Sequence, residues 1–379
     1  MAEHTHYRSL FQVGCHHIAR GLAELGHEIT YISWYLSPLH LAYLATQKRK
    51  EVQNRFSNYL HGGIQETKNL YTYVPFTLSP LVKLPLFDNI ASANRTVKWT
   101  LPNLLNKLNQ NGQYDAFLIG DPRFVPLIEQ VKADKIILRL TDNVAEFEHS
   151  PKVINQLIKK GIKQADQVIV TSKPLIEIMQ EKYAATNVSY IPNGVDYSHF
   201  ATESSSIQPD DLKNIPKPRV TYIGAIENWF DCDLLAEVSH AMPEVSFIII
   251  GPVRTDISKV ENLPNVHFFG PKPYRELPNY LHHSDVGAIF FKRIPLIESV
   301  SPIKLYEYMA AGLPVVSIEW NELKSLNSPA LLASGKDEFI SALNKALTET
   351  KNEWVYNKAY AKNNSWKERI SCIVEIILS

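Results

Sequence analysis

The sequence has few cysteines, no long apolar run and no excess of charge of either sign. Cys15, Cys232 and Cys372 are too few and too far apart for a disulfide framework, and no CxxC or paired Cys/His spacing indicates a zinc site. No apolar run approaches the roughly 20 residues that span a bilayer. The polar start, Met1–Ser9, does not read as a signal peptide. We therefore expect a cytoplasmic protein that does not cross a membrane.

The balance of charge excludes a second group of functions. The 39 lysine and arginine residues equal the 39 aspartate and glutamate residues, so no global basic field favours a nucleic-acid partner. The adjacent pairs His16–His17 and His282–His283 point in diverging directions on a helix, and we expect no metal site. The length of 379 residues and the 45% hydrophobic content suit two soluble domains.

Strand-like and helix-like segments alternate along the chain, a pattern typical of parallel sheets covered by helices. Helices are predicted around Ile18–Leu25 and at Val153–Ala165, Asp233–Ala241, Leu277–His283 and Lys304–Ala311. Strands are predicted at Ile29–Ser33, Ala116–Gly120, Ile136–Leu140, Val168–Val170, Ser189–Ile191, Arg219–Gly224, Val245–Gly251, Asn265–Phe269, Val286–Phe291 and Pro314–Ile318. The predicted fold class is α/β, with two Rossmann-like parallel-sheet domains that face a central cleft.

Turn-rich and polar segments indicate the domain boundaries. We predict an N-terminal domain over 1–198, a linker over 199–218, a C-terminal domain over 219–355 and a closing helix over 356–379. The beginning of the N-terminal domain departs from the Rossmann-like pattern. Such a domain should open with a strand, whereas the first clear element here is a helix. Either Ser9–Val13 is a vestigial strand, or the strand lies upstream of the given start.

The most informative segment begins at Ser301. Ser301, Pro302, Ile303 and Lys304 lead from a polar loop into a predicted helix, whose first amides have no acceptor within the helix. The helix dipole and the Lys304 ammonium would together attract a diphosphate. Glu307 lies one turn later on the same face, where its carboxylate could accept hydrogen bonds from ribose hydroxyls. An ordinary capped helix with a Lys–Glu pair is the alternative.

These residues occur in a segment that resembles GT-B glycosyltransferases. SPIKLYEYMAAGLPVV, from Ser301 to Val316, is similar to their nucleotide-binding segment, and IPNGVD resembles their interdomain hinge. VTYIGAIENWF, IIIGPV and LPNVHFFGPKPYRELPNYLHHSDVGAIFF follow in the order of their C-terminal domain, and SWKERI resembles their closing helix. The resemblance implies a UDP-sugar donor, a lipid-linked or growing glycan acceptor, and no cofactor.

The resemblance also bears on the stereochemistry of transfer. Many retaining enzymes of this superfamily carry two glutamates with seven residues between them, but here Ser299 stands in the first position, counted back from Glu307, and Glu298 lies one place too early. The pattern S-x-x-K-L-x-[EQ]-Y, with LRLTDN and FQVGCHH, resembles the inverting glucuronosyltransferases of xanthan assembly and related bacterial cell-surface polysaccharide enzymes. The resemblance implies an inverting, metal-independent transfer, with glucuronate as one candidate sugar.

An inverting transfer needs a base that removes the proton of the acceptor hydroxyl. In the resembling family this base is an aspartate of the N-terminal domain, which matches Asp142 here. A carboxylate after a parallel strand faces the crevice in which such folds bind ligands. Glu146 and Glu148 are nearby alternatives, and Asp142 could instead cap the following turn with Asn143.

Further residues complete the predicted site. Gly224 and Ile226 lie in the first strand-to-helix turn of the second domain, where glycine lets the backbone approach a ligand. Phe291, or Phe290, is a candidate for stacking on uracil, with a core position as the alternative. Lys292 and Arg293 could contact the diphosphate or an acidic sugar, or be bystanders. Asp231 and Asp233 superficially match a metal-binding DxD motif, but we interpret them as helix capping.

Two weaker signals concern the acceptor side. Gly14 opens the first helix, so His16 or His17 could meet the acceptor or the diphosphate. Apolar residues next to basic ones suit an anionic lipid surface, and a buried helix is the alternative; this set comprises Trp34, Tyr35, Leu36, Leu39, Tyr43, Leu44, Lys48, Arg49 and Lys50. We predict a glycosyltransferase that is peripheral on the cytoplasmic membrane face. A retaining enzyme and a non-catalytic nucleotide- or glycan-binding protein are the alternatives.

Overall fold

The computed structural model consists of two compact units. The first comprises 1–192 and 370–379, and the second comprises 193–369. The structure describes residues 1–9, 11–40, 49–81, 87–109, 112–147, 150–202, 207–349 and 354–379.

The first unit contains an eight-stranded sheet. Its strands are β1 (Ala2–Glu3), β2 (Ile29–Ser33), β3 (Ile64–Thr67), β4 (Leu70–Tyr73), β7 (Tyr114–Ile119), β8 (Ala133–Leu140), β9 (Gln167–Val170) and β10 (Val188–Tyr190), whereas β5 (Phe76–Thr77) and β6 (Thr100–Leu101) form a separate antiparallel pair. The order is β10-β9-β8-β7-β1-β2-β4-β3, and every pair is parallel except β3 with β4. The strand order reverses between β1 and β7, which in such sheets marks the ligand-binding crevice.

Helices cover both faces of this sheet. They are α1 (Gly14–Glu24), α2 (Arg49–Leu60), α3 (Ile90–Lys98), α4 (Leu104–Asn109), α5 (Val153–Gln164) and α6 (Lys173–Tyr183). The helix α5 shows why they form: Val153, Ile154, Leu157 and Ile158 recur at helical spacing and are all buried, so one apolar stripe packs on the sheet.

The second unit contains a six-stranded, wholly parallel sheet. Its strands are β11 (Arg219–Ile223), β12 (Ser246–Ile250), β13 (Val266–Gly270), β14 (Val286–Ile289), β15 (Val315–Ile318) and β16 (Leu331–Ala333). The order β13-β12-β11-β14-β15-β16 is the Rossmann order, with its reversal between β11 and β14. All five residues of β11 and of β12 are buried, as expected for parallel strands that are covered on both faces.

The helices of the second unit follow its strands. They are α7 (Tyr197–Ala201), α8 (Cys232–Ala241), α9 (Leu277–His282), α10 (Pro295–Glu298), α11 (Ile303–Ala310), α12 (Asn321–Ser325), α13 (Lys336–Thr348), α14 (Val355–Asn363) and α15 (Trp366–Leu378), the last of which continues into the first unit's residues. The α/β prediction is confirmed.

Three predictions about segments need correction. The opening strand of the first unit is Ala2–Glu3, not Ser9–Val13. Residues predicted as the linker 199–218 belong to the second unit, where Phe200 and Leu212 are fully buried. The closing segment forms two helices instead of one, because the backbone of Ser365 pairs with Val195 between them.

Three residues of the predicted lipid-facing segment, Trp34, Tyr35 and Leu36, are packed within the first unit. Tyr35 and Leu36 are buried, and the half-buried Trp34 ring lies 3.7 Å from the guanidinium carbon of Arg123. Leu39 is exposed, whereas Tyr43, Leu44 and Lys48 lie outside the described residues, as does the side chain of Arg49. The Arg55 guanidinium donates to the Trp34 carbonyl (2.6 Å). The buried-core alternative therefore holds for Tyr35 and Leu36, and the membrane prediction stays a prediction for the rest of the set.

Three further observations concern the whole described chain. No helix within the described residues is long and apolar enough to cross a membrane. No cluster of three or more His, Cys, Asp or Glu side chains in that part of the chain is arranged to hold a metal ion. Of the three free cysteines, Cys15 and Cys232 are buried and Cys372 is exposed.

Candidate nucleotide-sugar site

The helix α11 is fixed against the strands at which the second sheet reverses its order. The Tyr308 hydroxyl accepts a hydrogen bond from the Ile223 amide at the end of β11 (2.7 Å). Gly287 in β14 leaves room for the Tyr308 ring, which a Cβ at that position would overlap. The start of α11 is thus held at the edge of the sheet where this fold class binds ligands.

The loop before α11 is held by polar contacts. The Asn193 side chain donates to the Ser301 carbonyl (2.8 Å), and its backbone amide donates to the Ser301 hydroxyl (3.3 Å). The Trp320 indole donates to the Val300 carbonyl (2.9 Å). Pro302 takes the N-cap position and Ile303 begins the helix, so Pro302 precedes the first turn rather than lying in it. The Ser301 hydroxyl is directed toward Asn193.

Lys304 is the one cation at the start of α11. Its Nζ atom lies 4.4 Å from the centre of the Phe291 ring and 5.2 Å from the centre of the Tyr222 ring, and it has no ion pair or hydrogen bond with any residue that the structure describes. Burial lowers the pKa of the ammonium to about 8, against the opposing effect of Glu307. A half-buried ammonium without an acceptor has lost water contacts that an anionic ligand would replace.

Gly224 and Gly251 bring two backbone loops close to Lys304. A Cβ at Gly224 would lie 3.1 Å from Cε of Lys304 and 3.0 Å from the Tyr222 hydroxyl, while a Cβ at Gly251 would overlap the Gly224 carbonyl. Ile226 is fully buried and its amide donates to the Pro252 carbonyl (3.0 Å). Gly224 therefore lies directly beside Lys304, whereas Ile226 anchors the loop from within the core.

Glu307 lies on the same helix, one turn after Lys304. Its side chain is 9% exposed and forms no hydrogen bond with the described residues. Burial raises the pKa of this carboxyl to about 7, although Lys304 opposes the shift and Asp196 adds to it. The group has unused acceptor capacity, which hydroxyl donors such as those of a ribose would satisfy.

The other cleft candidates of the second unit have distinct positions. Phe291 is 4% exposed and packs against Tyr222 and Trp320, with ring centres 6.4 and 5.7 Å apart, so it supports Lys304 and presents no open face. Lys292 is half-buried and Arg293 is exposed. The core alternative therefore describes Phe291 better than the stacking role.

Three carboxylates that resemble motifs of other glycosyltransferases have structural partners. Glu298 accepts from the Asn321 amide at the start of α12 (2.9 Å), and Ser299 is buried with its hydroxyl directed to the Leu296 carbonyl. Asp231 accepts from the Leu234 amide (3.0 Å) and caps α8, as predicted, while Asp233 pairs with Lys259. Neither set forms the first glutamate of the retaining pair or the metal motif of other glycosyltransferases.

In the first unit, Asp142 lies two residues beyond the end of β8. The Thr141 hydroxyl donates to its carboxylate (3.0 Å), and the carboxylate caps no helix among the described residues. Burial raises its pKa above the ordinary value, against Thr141 and nearby positive charge from Arg139. The structure therefore does not support the alternative in which the Asp142 carboxylate caps the following turn. Glu146 is exposed and pairs with Lys182, and Glu148 lies outside the described residues.

Sequence reasoning missed a group of buried charges at the same sheet edge. Glu3 at the end of β1 is 2% exposed, and burial raises its pKa to about 7 while Arg139 opposes the shift. Asp121 follows β7; burial alone would raise its pKa, but the Arg123 guanidinium, bonded to both carboxylate oxygens, holds it lower. The sequence did offer a signal, because Glu3 and Asp121 stand at or just after the ends of two neighbouring strands, β1 and β7. Glu3 was overlooked because β1 was not predicted.

The histidine hypothesis for α1 is wrong for His16. His16 is fully buried, its Nδ1 accepts from the Val13 amide (3.0 Å) and its Nε2 bonds the His6 carbonyl (3.1 Å). Burial lowers its pKa to about 4, so it stays neutral as part of the helix start. Gly14 is the buried first residue of α1, and His17 is also buried.

Comparison with known proteins agrees with this architecture. Residues 1–171 match the family model for the N-terminal domain of the glucuronosyltransferase GumK, and residues 217–349 match glycosyl transferases group 1. TuaH of Bacillus subtilis strain 168, named as a teichuronic acid biosynthesis glycosyltransferase, is 29% identical over 220 residues. That match covers 55% of this chain and 55% of the relative, so it spans about half the length of each.

Solved structures share the fold across the whole chain. The trehalose-6-phosphate synthase OtsA superposes with a TM-score of 0.70 at 13% identity, over 100% of this chain and 98% of that one. Anabaena Alr3699/HepE in complex with UDP superposes with a TM-score of 0.67 at 14% identity, over 99% of this chain and 98% of that one. The sucrose-phosphate synthase of Thermosynechococcus elongatus superposes with a TM-score of 0.65 at 16% identity, over 99% of this chain and 95% of that one.

The two Rossmann-ordered sheets and the superpositions show that the chain has the GT-B fold, and both family-model matches are to glycosyltransferase domains. Residues 1–171 are thus similar to a GumK N-terminal domain, and residues 217–349 are similar to a group 1 glycosyl transferase domain. The predicted fold is confirmed, and the predicted family resemblance agrees with both family-model matches.

Proposed function

We propose that the protein transfers a sugar from a UDP-sugar, with glucuronate the first candidate, to a lipid-linked or growing polysaccharide, with inversion at the anomeric carbon. The observation that carries the proposal is the half-buried Lys304 ammonium at the start of α11, which pairs with none of the described residues and lies directly beside Gly224. Support for the donor class comes from the UDP bound to Alr3699/HepE, and support for the acceptor class from the name of TuaH.

The donor binds at the start of α11. The Lys304 ammonium and the first amides of the helix hold the diphosphate, since both present positive charge at the helix start. Glu307 accepts hydrogen bonds from the ribose hydroxyls. Because Lys304 and the amides neutralise the leaving diphosphate, the reaction proceeds without a metal ion or other cofactor.

Asp142 acts as the base. Its carboxylate takes the proton of the acceptor hydroxyl while the hydroxyl oxygen forms a bond to the anomeric carbon and the bond from that carbon to the UDP oxygen breaks. The burial that raises its pKa also makes it a stronger proton acceptor. Inversion is further supported by Glu298, whose carboxylate is engaged at the start of α12 and does not replace the first glutamate of the retaining pair.

The decisive experiment has two stages. A calorimetric panel of UDP, UDP-glucuronate, UDP-glucose and UDP-galactose should show binding of UDP and the tightest donor binding for UDP-glucuronate. Transfer to lipid-linked glycans, followed by NMR of the new anomeric centre, should show inverted configuration. UDP binding without turnover on any acceptor would indicate a binding protein, and retained configuration would indicate a retaining enzyme.

Peripheral attachment to the cytoplasmic membrane face belongs to the same proposal, because a lipid-linked acceptor lies at a bilayer surface. Flotation of the full chain with vesicles containing anionic lipid, compared with neutral vesicles, tests it. Equal recovery with both vesicle types, or none with either, would argue against attachment by charge.

A further inference from the structure

Glu3 is a buried carboxyl group at the carboxyl edge of the first sheet. The residue before it pairs with Ile119 of β7, which pairs in turn with Leu138 of β8. One residue further along these parallel strands come Glu3, Gly120 and Arg139. Residues at equivalent positions of neighbouring strands point to the same face of a sheet. Glu3 and Arg139 therefore share one face, with Gly120 between them.

Gly120 leaves the space that the Glu3 carboxyl group occupies. A Cβ at Gly120 would overlap all three atoms of that carboxyl group, so the Glu3 side chain crosses over β7 toward β8. Arg139 of β8 is 2% exposed. Burial raises the pKa of Glu3 and lowers that of Arg139, and each group opposes the shift of the other. The two opposite charges thus stabilise each other on a covered face of the sheet.

Arg139 also acts on Asp142, which follows three residues later in the chain. Burial raises the pKa of Asp142, while the Thr141 hydroxyl and the Arg139 charge oppose the shift. Glu3 and Asp142 in turn both oppose the burial that lowers the pKa of Arg139. The guanidinium is therefore an electrostatic neighbour of two carboxyl groups. The ionisation of one carboxyl group must then change the proton affinity of the other.

We propose that Glu3 is a positioning residue that acts through Arg139 to keep the Asp142 carboxylate a strong proton acceptor, an inference that rests on the proposed role of Asp142 as the base. Ionised Glu3 compensates the Arg139 charge, so the guanidinium attracts the Asp142 charge less. Once Glu3 is neutral, the Arg139 charge favours ionised Asp142 and makes it a weaker base. Transfer should therefore be faster when Glu3 is ionised.

The other groups that face Glu3 differ from it in their titration. Burial alone would raise the pKa of Asp121, but a bound guanidinium holds it below the ordinary value. Burial raises the pKa of Cys15 to about 12 and that of Tyr31 well above its ordinary value, so both stay neutral. Burial lowers the pKa of the Met1 amine to about 6, below the value of about 7 for Glu3.

His4 is the remaining titratable side chain that faces Asp142. Desolvation of its imidazole lowers its pKa, so His4 is neutral at and above pH 7. Arg139 keeps its charge over the same range, because a guanidinium does not lose its proton in proteins. A rise in pH through about 7 therefore changes the charge of Glu3 while that of Arg139 stays constant.

The test compares kcat of the wild type with that of Glu3→Gln at saturating donor and acceptor, from pH 5.5 to pH 8.5. The ratio of the two values cancels the titration of Glu307 and Lys304, which both proteins share. The ratio should be near 1 at pH 5.5 and rise to roughly three- to tenfold at pH 8.5, with a midpoint near pH 7. Glu129→Gln removes an exposed carboxylate that pairs with Lys160, and its ratio should stay at 1.

Two further variants separate the charge of Glu3 from its packing. Glu3→Asp keeps the charge, so its ratio to the wild type should stay near 1 throughout the range. Gly120→Ala keeps the carboxyl group but displaces it from its place beside Arg139. Its ratio should rise with pH as for Glu3→Gln, and it supplies the comparison if Glu3→Gln does not fold.

A second measurement does not depend on transfer. Thermal unfolding of the wild type, Glu3→Gln, Asp142→Asn and the double variant forms a double-mutant cycle. At pH 8.5 both carboxyl groups are ionised, so the effects of the two substitutions on the unfolding midpoint should not add. At pH 5.5 Glu3 is protonated, and the two effects should add.

Each outcome decides the proposal. A ratio that rises with pH, together with midpoints that do not add at pH 8.5, supports it. A ratio that is constant over the range shows that Glu3 serves folding alone and overturns the proposal, as do additive midpoints at both pH values. If none of these proteins transfers sugar but the midpoints do not add at pH 8.5, the proposed function fails and the link between Glu3 and Asp142 is supported.

Discussion

The Nζ atom of Lys304 lies 4.4 Å from the centre of the Phe291 ring, and that ring is buried. A cation over an aromatic face is stabilised, but the ring supplies none of the hydrogen bonds that water would. The lowered pKa of the ammonium reflects this loss. Lys304 is thus held in place by neighbours that leave its charge available to an anion.

Replacing Lys304 with alanine should weaken UDP binding. A charge-assisted hydrogen bond contributes about 1.5–3 kcal/mol, so the dissociation constant measured by calorimetry should rise roughly ten- to hundredfold. Lys336→Ala is the control, since Lys336 lies on the surface of the same unit and pairs weakly with Glu237. Equal UDP affinity in both variants would remove Lys304 from the donor site.

UDP binding by the unaltered protein should weaken as the pH rises through about 8. The Lys304 ammonium, whose pKa lies near 8, is charged below that pH and neutral above it. Lys304→Arg should flatten the profile between pH 7 and pH 9.5, because a guanidinium stays charged throughout. A wild-type profile that is flat over this range would contradict a role for the Lys304 charge.

Glu307→Gln should stabilise the ligand-free protein at pH 8 and much less at pH 5. The pKa of Glu307 is raised from 4.5 to about 7, so folding takes up a proton in that window and stability falls as the pH rises through it. The full effect is roughly 3 kcal/mol. Thermal unfolding at both pH values, with and without UDP, measures it. An equal shift at pH 5 and pH 8 would contradict the assignment.

Gly224→Ala should reduce both stability and UDP affinity. The new Cβ would lie 3.0–3.1 Å from the Tyr222 hydroxyl and the Lys304 side chain, so one of them must move. We expect a loss of about 1–3 kcal/mol in unfolding free energy. Gly335→Ala is the matched control, because nothing lies within 4 Å of its Cβ. Wild-type behaviour of both variants would show that the loop at Gly224 adjusts freely.

Asp142→Asn should leave UDP binding nearly unchanged and reduce transfer by at least about a hundredfold, as for loss of a general base. Glu3→Gln is the informative comparison, since Glu3 is a second buried carboxylate with a raised pKa at the same sheet edge. Initial rates on a lipid-linked acceptor give the readout. If Glu3→Gln abolished transfer and Asp142→Asn did not, the base would be Glu3.

Much of the fold could be predicted from local sequence pattern. The strands β2, β11 and β12 are rich in β-branched and aromatic residues, and their predicted bounds agree with the structure within one residue. β1 was missed because only Ala2 and Glu3 belong to it, and no apolar run of that length can be detected. Its place at the centre of the sheet is fixed by β2 and β7, which are distant in sequence.

The residues of the candidate site also fall into two groups: those that local sequence pattern predicts, and those whose position depends on distant parts of the chain. Lys304, Gly224 and Glu307 could be located because a loop, a glycine turn and a helix start are local patterns. The position of Phe291 could not, since Tyr222 and Trp320 enclose its ring from other strands and loops. Likewise, the burial that shifts the pKa of Glu3 depends on Gly120 and Arg139, which neighbouring strands bring together.

The three cysteines differ sharply in their accessibility to reagents. Burial raises the pKa of the Cys15 thiol to about 12 and also raises that of Cys232, so neither forms much of the reactive thiolate at neutral pH. Cys372 is exposed on α15. A maleimide fluorophore should therefore attach at Cys372 alone in the unaltered chain. The fluorescence of this label could then be used to follow sugar-nucleotide binding.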